Sequence, residues 1–375
     1  MAGIYLHIPF CKQKCAYCDF YSIVNDKLIE EYVNALCKEI ELQRNFLTKE
    51  KIKTIYFGGG TPSLLSPKQL QVILDKLIQN FDLENEIEIT LEANPDNLSV
   101  KYLRALKEIG INRLSVGLQS FIETDLQLMK RKHTVKESIK AIGDAQESGF
   151  DNISIDLIYG LPDLTISMWE ENIEKALKLN VQHISAYHLT IEPNTLFNKY
   201  YQSNKLNLPT EDESLSQFKI LKRITEQKGF MHYEISNFAL YGFISLHNTN
   251  YWMGVKYLGL GPSAHSYNLT SRQWNIQNLR KYMDAISQGK IPYEIEYLTK
   301  IEKFNDFLIT SLRTMWGLNT EKLKKDFGKD LETYFLSKTK KYIDQNLMKE
   351  SNSNFTLTEK GIFISDNILQ DFLHE

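Results

Sequence analysis

The chain has 375 residues, 42% hydrophobic and 24% charged, proportions that exclude a wholly disordered chain and a coiled-coil rod. Lys plus Arg number 44 against 47 Asp plus Glu, a net charge of −3, so no overall field draws nucleic acid or anionic lipid to the molecule. No apolar run approaches the roughly 18 residues that cross a bilayer, and Met1–Phe10 lacks a basic region and a small-residue cleavage site, so a cytoplasmic protein is expected.

Up to about residue 290 two periodicities alternate. β-rich runs fall at Ile4–Ile8, Ile52–Phe57, Ile87–Leu91, Arg113–Leu118, Ile153–Ile158 and Ile184–Leu189. Helix-period stretches fall between and after them, at Leu28–Phe46, Pro67–Asn80, Val100–Ile109, Val135–Ser148, Ser167–Leu179 and Asp212–Lys228. This alternation predicts an α/β fold with a parallel sheet, closed as a barrel or open as a doubly wound sheet. In a barrel, the loops that follow the strands build the site. Beyond Gly229, Tyr233–Phe238 reads as extended, Tyr241–Tyr267 as irregular and aromatic, Gly259–Ser263 as a turn, and Gln277–Gln288 as a helix. From Tyr297 to Glu375 three short helices and a strand-like run at Phe355–Leu357 suggest a small winged-helix-like domain. Residues 301–375 carry 11 basic and 12 acidic side chains, a net −1, which does not suit a DNA-reading face.

Of four cysteines, Cys11, Cys15 and Cys18 fall within eight residues, directly after the first strand, while Cys37 lies alone in a helical stretch. A disulfide scaffold would spread its cysteines along the chain. The spacing C-x3-C-x2-C supplies three thiolates from one loop, enough for three corners of a [4Fe–4S] cluster with one iron left open. The alternative is a Cys3His zinc site completed by His7.

C-x3-C-x2-C after a first strand resembles the radical S-adenosylmethionine (SAM) proteins. Tyr5–Cys11, Gly58–Ser63 (Gly-Gly-Gly-Thr-Pro-Ser) and Asp156–Pro162 (Asp-Leu-Ile-Tyr-Gly-Leu-Pro) are similar to the anaerobic coproporphyrinogen oxidase-like branch, and within it to the HemW-type haem chaperones. The resemblance covers the whole chain. It implies a partial (β/α)6 TIM-like barrel over residues 1–235, a barrel extension over 236–296 and the winged-helix-like domain over 297–375. It also implies a [4Fe–4S] cluster on Cys11, Cys15 and Cys18, with SAM on the open iron.

In that family, positions matching Gly59, Gly60, Thr61, Glu92, Gln119, Arg131 and Asp156 contact SAM, and Tyr5 and Tyr17 flank cluster and ligand. Glu92 suits an ammonium and Arg131 a carboxylate. Each is singly an ordinary surface charge or core residue; their shared place at strand ends points to a site.

Two features separate chaperone from oxidase. The oxidases of the branch keep a further cysteine two residues after the third; here that position is Phe20. His247-Asn248-Thr249-Asn250-Tyr251-Trp252 matches the H-N-x-x-Y-W motif of the chaperones, which implies haem binding by His247, Tyr251 and Trp252. An imidazole is a normal haem ligand and aromatic faces suit a porphyrin. The other reading of His247 is a hydrogen-bonding group in an aromatic cluster. The resemblance thus implies a protein that carries haem to a haem-requiring acceptor; the alternative is a radical SAM enzyme decarboxylating coproporphyrinogen III.

Overall fold

A computed structural model describes residues 1–375. Strands β1 (Ala2–Ile8), β2 (Ile52–Gly59), β3 (Leu83–Ala93), β4 (Arg113–Gln119), β5 (Ile153–Tyr159) and β6 (His183–His188) lie parallel, each beside the next in chain order. The crossovers carry helices at Ile29–Leu42, Pro67–Asn80, Val100–Glu108, Val135–Glu147 and Ile166–Lys178. Their ends follow local chemistry. Pro67–Asn80, for example, opens with Pro67 in its first turn and a capping box between Ser66 and Gln69. Strand β4 is buried along its whole length, as a strand covered on both faces should be.

The sheet continues past both edges of this six-stranded core. After the helix Glu211–Gln227, β7 (Met231–Glu234) and β8 (Asn237–Ala239) form a hairpin, and β8 pairs antiparallel with β6. At the other edge β9 (Tyr257–Leu260) pairs parallel with β1 and is followed outward by β10 (His265–Tyr267), β11 (Ser271–Asn275) and β12 (Tyr293–Tyr297). The sheet therefore has 12 strands.

Three expectations are corrected here. Tyr233–Phe238 is not one extended run, because Ile235 and Ser236 turn it into the β7–β8 hairpin. The stretch Tyr241–Tyr267 is not irregular: it holds the helix Leu246–Trp252 as well as β9 and β10. Gly259 and Leu260 belong to β9 and not to a turn. Gly259 is there for close approach, since a Cβ on it would fall 2.0 Å from the His265 carbonyl oxygen.

The extension is tied to the barrel by a buried carboxylate. Glu39, on the helix Ile29–Leu42, accepts hydrogen bonds from Gly261 N at 2.7 Å, Asn275 Nδ2 at 2.6 Å and the Tyr282 hydroxyl at 2.6 Å. Burial raises its pKa and these donors oppose the rise, so the group is satisfied although dehydrated.

The C-terminal region has its own core of 14 buried residues, among them Phe304, Phe335, Phe355 and Phe372, beside the 63-residue core of the barrel. A three-stranded sheet, β13 (Leu318–Asn319), β14 (Met348–Ser351) and β15 (Asn354–Leu357), takes the order β13-β15-β14. Five helices surround it, where three were expected: Lys300–Leu312, Thr320–Phe327, Lys329–Asp344, Glu359–Phe363 and Ser365–Phe372. Gly328 separates Thr320–Phe327 from Lys329–Asp344. The region joins the barrel through Met315 N, which donates to Tyr233 O at 3.0 Å, and through a Lys222–Glu359 ion pair at 3.3 Å. No helix is long and apolar enough to cross a membrane.

Candidate functional site

The cysteine loop leaves β1 and is held from several sides. Cys11 N donates to Ile23 O at 2.9 Å, Ala16 N to Met129 O at 3.0 Å, and Phe197 N to Ala16 O at 2.9 Å. Cys11, Cys15 and Cys18 are half-buried and unpaired. Two of the sulfurs already receive donors: Thr61 Oγ1 to Cys11 Sγ at 3.5 Å, and Arg131 Nη1 to Cys15 Sγ at 3.4 Å. Gly60 has no room for a side chain, because a Cβ would lie 2.7 Å from Phe10 O and 3.1 Å from Cys11 Sγ. Its small size thus serves the loop itself. Burial pushes the Cys18 thiol up to about 11, with the neighbouring Cys15 and Cys11 adding to the rise, so metal binding must displace its proton.

This donor set suits an iron–sulfur cluster, whose cysteine thiolates are tuned by hydrogen bonds to sulfur. A single zinc ion is less well served. No three His, Cys, Asp or Glu side chains converge to hold one ion, whereas a cubane takes each thiolate on a separate iron. His7 is also occupied on both ring nitrogens, by the Tyr5 hydroxyl at 3.1 Å and Tyr21 O at 2.9 Å.

The expected SAM residues divide between this loop and a polar chamber inside the barrel. Arg131 belongs to the loop: besides Cys15, its Nη2 donates to Asn94 Oδ1 and Gly117 O, each at 2.7 Å. A carboxylate would have to share the guanidinium with these partners. Tyr17 lies beside Arg131 and the Cys15 and Cys18 thiols, and burial raises its pKa. Gln119 ends β4 with φ at 71°, a left-handed conformation that costs a residue with a Cβ roughly 1–2 kcal/mol. Tyr5, Glu92 and Asp156 line the chamber, which measures about 220 Å³. Glu92 accepts from the Tyr56 hydroxyl at 2.8 Å and from Gly59 N at 3.1 Å. Burial nevertheless lifts its pKa to about 7, with Asp156 adding to the rise. Burial also raises Asp156, against donation from Ser115 Oγ at 3.3 Å and the positive charge of Arg113.

His247 also lines this chamber, which the sequence did not anticipate. Its short helix is capped by Ser245, and Glu88 of β3 accepts from Leu246 N at 3.1 Å and His247 N at 3.0 Å. The i, i+4 spacing on that helix brings the Tyr251 hydroxyl to His247 Nε2 at 2.9 Å. Thr54 Oγ1 meets Nδ1 at 2.8 Å, and the ring stacks on Tyr56 with centroids 5.0 Å apart. The side chain is 2% exposed, and burial lowers its pKa to about 3. His247 therefore offers no free nitrogen to iron. In this arrangement it is a neutral group in an aromatic wall.

The rest of the motif faces elsewhere. Trp252 lines a second, larger cavity of about 1080 Å³ between the barrel extension and the C-terminal region, and Tyr5 and Tyr251 form the wall between cavity and chamber. Phe20 also borders this cleft and is 64% exposed.

The sequence reading missed Arg113 and His265. Arg113 is buried in the chamber without a salt-bridge partner, and its Nε is unsatisfied. Its place at the start of a predicted strand disguised it as a flanking charge. His265 lies in the cleft, and its sequence signal, one histidine after a Gly-Pro turn, is too weak to single out.

Residues 5–176 match the radical SAM superfamily and residues 298–364 the HemN C-terminal domain. The coproporphyrinogen III oxidase HemN of Escherichia coli, a radical SAM enzyme, superposes with a TM-score of 0.85, covering 99% of this chain and 90% of that one. At 23% identity that likeness establishes the fold. Fold and cysteine loop define a radical SAM protein with a HemN-type C-terminal domain. Among curated relatives, "Heme chaperone HemW" of Bacillus subtilis is 35% identical over 100% of both chains, and its namesake in Lactococcus lactis 34% over 98% of this chain and 96% of that one. The chain belongs to the HemW family.

Proposed function

We propose that this protein binds haem and passes it to a haem-requiring acceptor protein, and that it carries a [4Fe–4S] cluster on Cys11, Cys15 and Cys18 together with SAM. The observation that carries the reading is the full-length match, at 35% identity, to a relative named as a haem chaperone. The site adds support. The cleft outside the chamber, at about 1080 Å³, is large enough for a tetrapyrrole. When bound, the cluster supplies an electron and an open iron position. The chain's own residues do the rest: Arg131 and Thr61 donate to the Cys15 and Cys11 sulfurs that would hold the cluster, Glu92 would accept from an ammonium, and Gly59, Gly60, Gln119, Asp156, Tyr5 and Tyr17 would shape the ligand's surroundings. Tyr5 and Tyr251, the latter braced by His247, form the wall between this site and the haem, and Trp252 would meet the haem itself.

The test is anaerobic reconstitution with iron and sulfide, followed by two parallel assays. Haem-loaded protein is expected to give up haem to a haem-free acceptor. Coproporphyrinogen III, supplied with reductant and SAM, is expected to remain unchanged. Decarboxylation at catalytic rates would replace this reading with an oxidase.

A further inference from the structure

We infer that the haem cargo sits in the cleft between the barrel extension and the C-terminal region, with His265 as its iron ligand and Lys303 and Lys322 facing its propionates. The inference rests on the haem-carrying reading and gives that cargo a place.

Three histidines stand near the cleft, and only one has an idle ring. His7 and His247 have both ring nitrogens engaged by protein groups. His265 lines the cleft, is exposed there, and makes no side-chain hydrogen bond. Its backbone is fixed in β10 opposite Trp274 of β11, and its ring stacks on the Trp274 indole with centroids 5.9 Å apart and planes at 27°. It is an oriented imidazole with nothing to bind. Burial and the nearby Arg272 lower its pKa, which favours the neutral ring that iron requires.

The walls suit a flat aromatic ligand. Phe20, Trp252, Tyr257 and Tyr267 line one side, and Phe307 and Trp316 come from the C-terminal region. The charges suit two carboxylates. Arg272 is occupied by Asp306 and Glu296, but Lys303 and Lys322 have no carboxylate partner, and Lys322 lies over the Phe307 ring at 5.1 Å. Asp326 is the one cleft carboxylate without a cation, so the free lysines outnumber it. Phe20 belongs to the cysteine loop, so the cargo would rest against the segment that holds the cluster.

The test is a hemin titration of the full-length protein and its variants, read by absorption and resonance Raman spectroscopy. Wild type is expected to bind one hemin with a histidine–iron signature. His265→Ala should lose that signature, bind at least tenfold more weakly, and recover the signature with added imidazole. His247→Ala should keep it in the folded fraction. Lys303→Glu with Lys322→Glu should weaken hemin severalfold and leave hemin dimethyl ester unaffected, a readout independent of whether His265→Ala folds. If wild type binds hemin and His265→Ala retains both signature and affinity, the assignment is overturned while the haem-carrying reading stands. If wild type binds no hemin, that reading falls and the assignment with it.

Discussion

The chamber inside the barrel and the cleft outside it share a wall, Tyr5 and Tyr251, but are finished differently. In the chamber most groups are engaged: Glu92 has two donors, His247 two partners, Asp156 a serine. In the cleft, an imidazole and two lysines stand unengaged among aromatic rings. A small polar ligand gains most from groups already fixed in place, since little ordering remains to oppose binding. A cargo that must leave again is better held by groups that revert to solvent when it goes. On the proposed function, this difference is what would set a resident-cofactor site apart from a transit site.

The largest expected effect breaks the first site alone. Replacing Cys11, Cys15 or Cys18 with alanine should abolish the reconstituted cluster, and replacing Cys37 should not, as measured by iron content per chain. Equal loss of iron in Cys37→Ala and Cys15→Ala would contradict the loop assignment.

The next effect is on stability. His247 titrates near 3 when folded, against an ordinary 6.5, so it is neutral in the native state. Its contribution is complete above pH 6.5 and is lost as pH falls from 6.5 toward 3, an amount of roughly 3–5 kcal/mol. His247→Gln should be less stable at pH 7.5 and show a shallower loss on acidification, in urea melts across that window.

Glu92 sharpens the comparison through pH. Its pKa near 7 is set by burial, with Asp156 raising it and Tyr56, Gly59 and Arg113 lowering it. An ammonium requires the carboxylate form, so SAM should bind more tightly as pH rises from 6 to 8. The gain should be severalfold, and Glu92→Gln should remove that slope in equilibrium dialysis. The smallest effect is expected at Phe20: being exposed, Phe20→Ala should change stability by less than about 0.5 kcal/mol yet weaken hemin a few-fold.

The barrel core was legible because its periodicities are local. Each of the six parallel strands coincides with a β-rich run, and the crossover helices with helix-period stretches. The cysteine loop and Glu92, next to last in β3, were legible because one segment or one topological rule places them, whereas Asp156 lies in the middle of β5 and not at its end. What could not be read depended on contacts between distant segments. The end of β9 was read as part of a turn because Gly259 and Gly261 look like punctuation, whereas Gly259 admits the His265 backbone. For His247 the motif implied haem while the residue alone also allowed a hydrogen-bonding role. Its hydrogen-bond partners Thr54 on β2 and Glu88 on β3 lie more than 150 residues away in the chain. Arg131 looked free to bind a carboxylate until Asn94, Gly117 and Cys15 converged on it.

The most direct measurement is electron paramagnetic resonance of the reduced cluster, titrated with SAM in protein already saturated with zinc protoporphyrin, a diamagnetic stand-in for haem. Two separate sites predict that SAM shifts the cluster signal at the same concentration with and without the porphyrin, and that the porphyrin stays bound. Competition between the two, with SAM expelling the porphyrin or failing to bind beside it, would contradict the division between chamber and cleft.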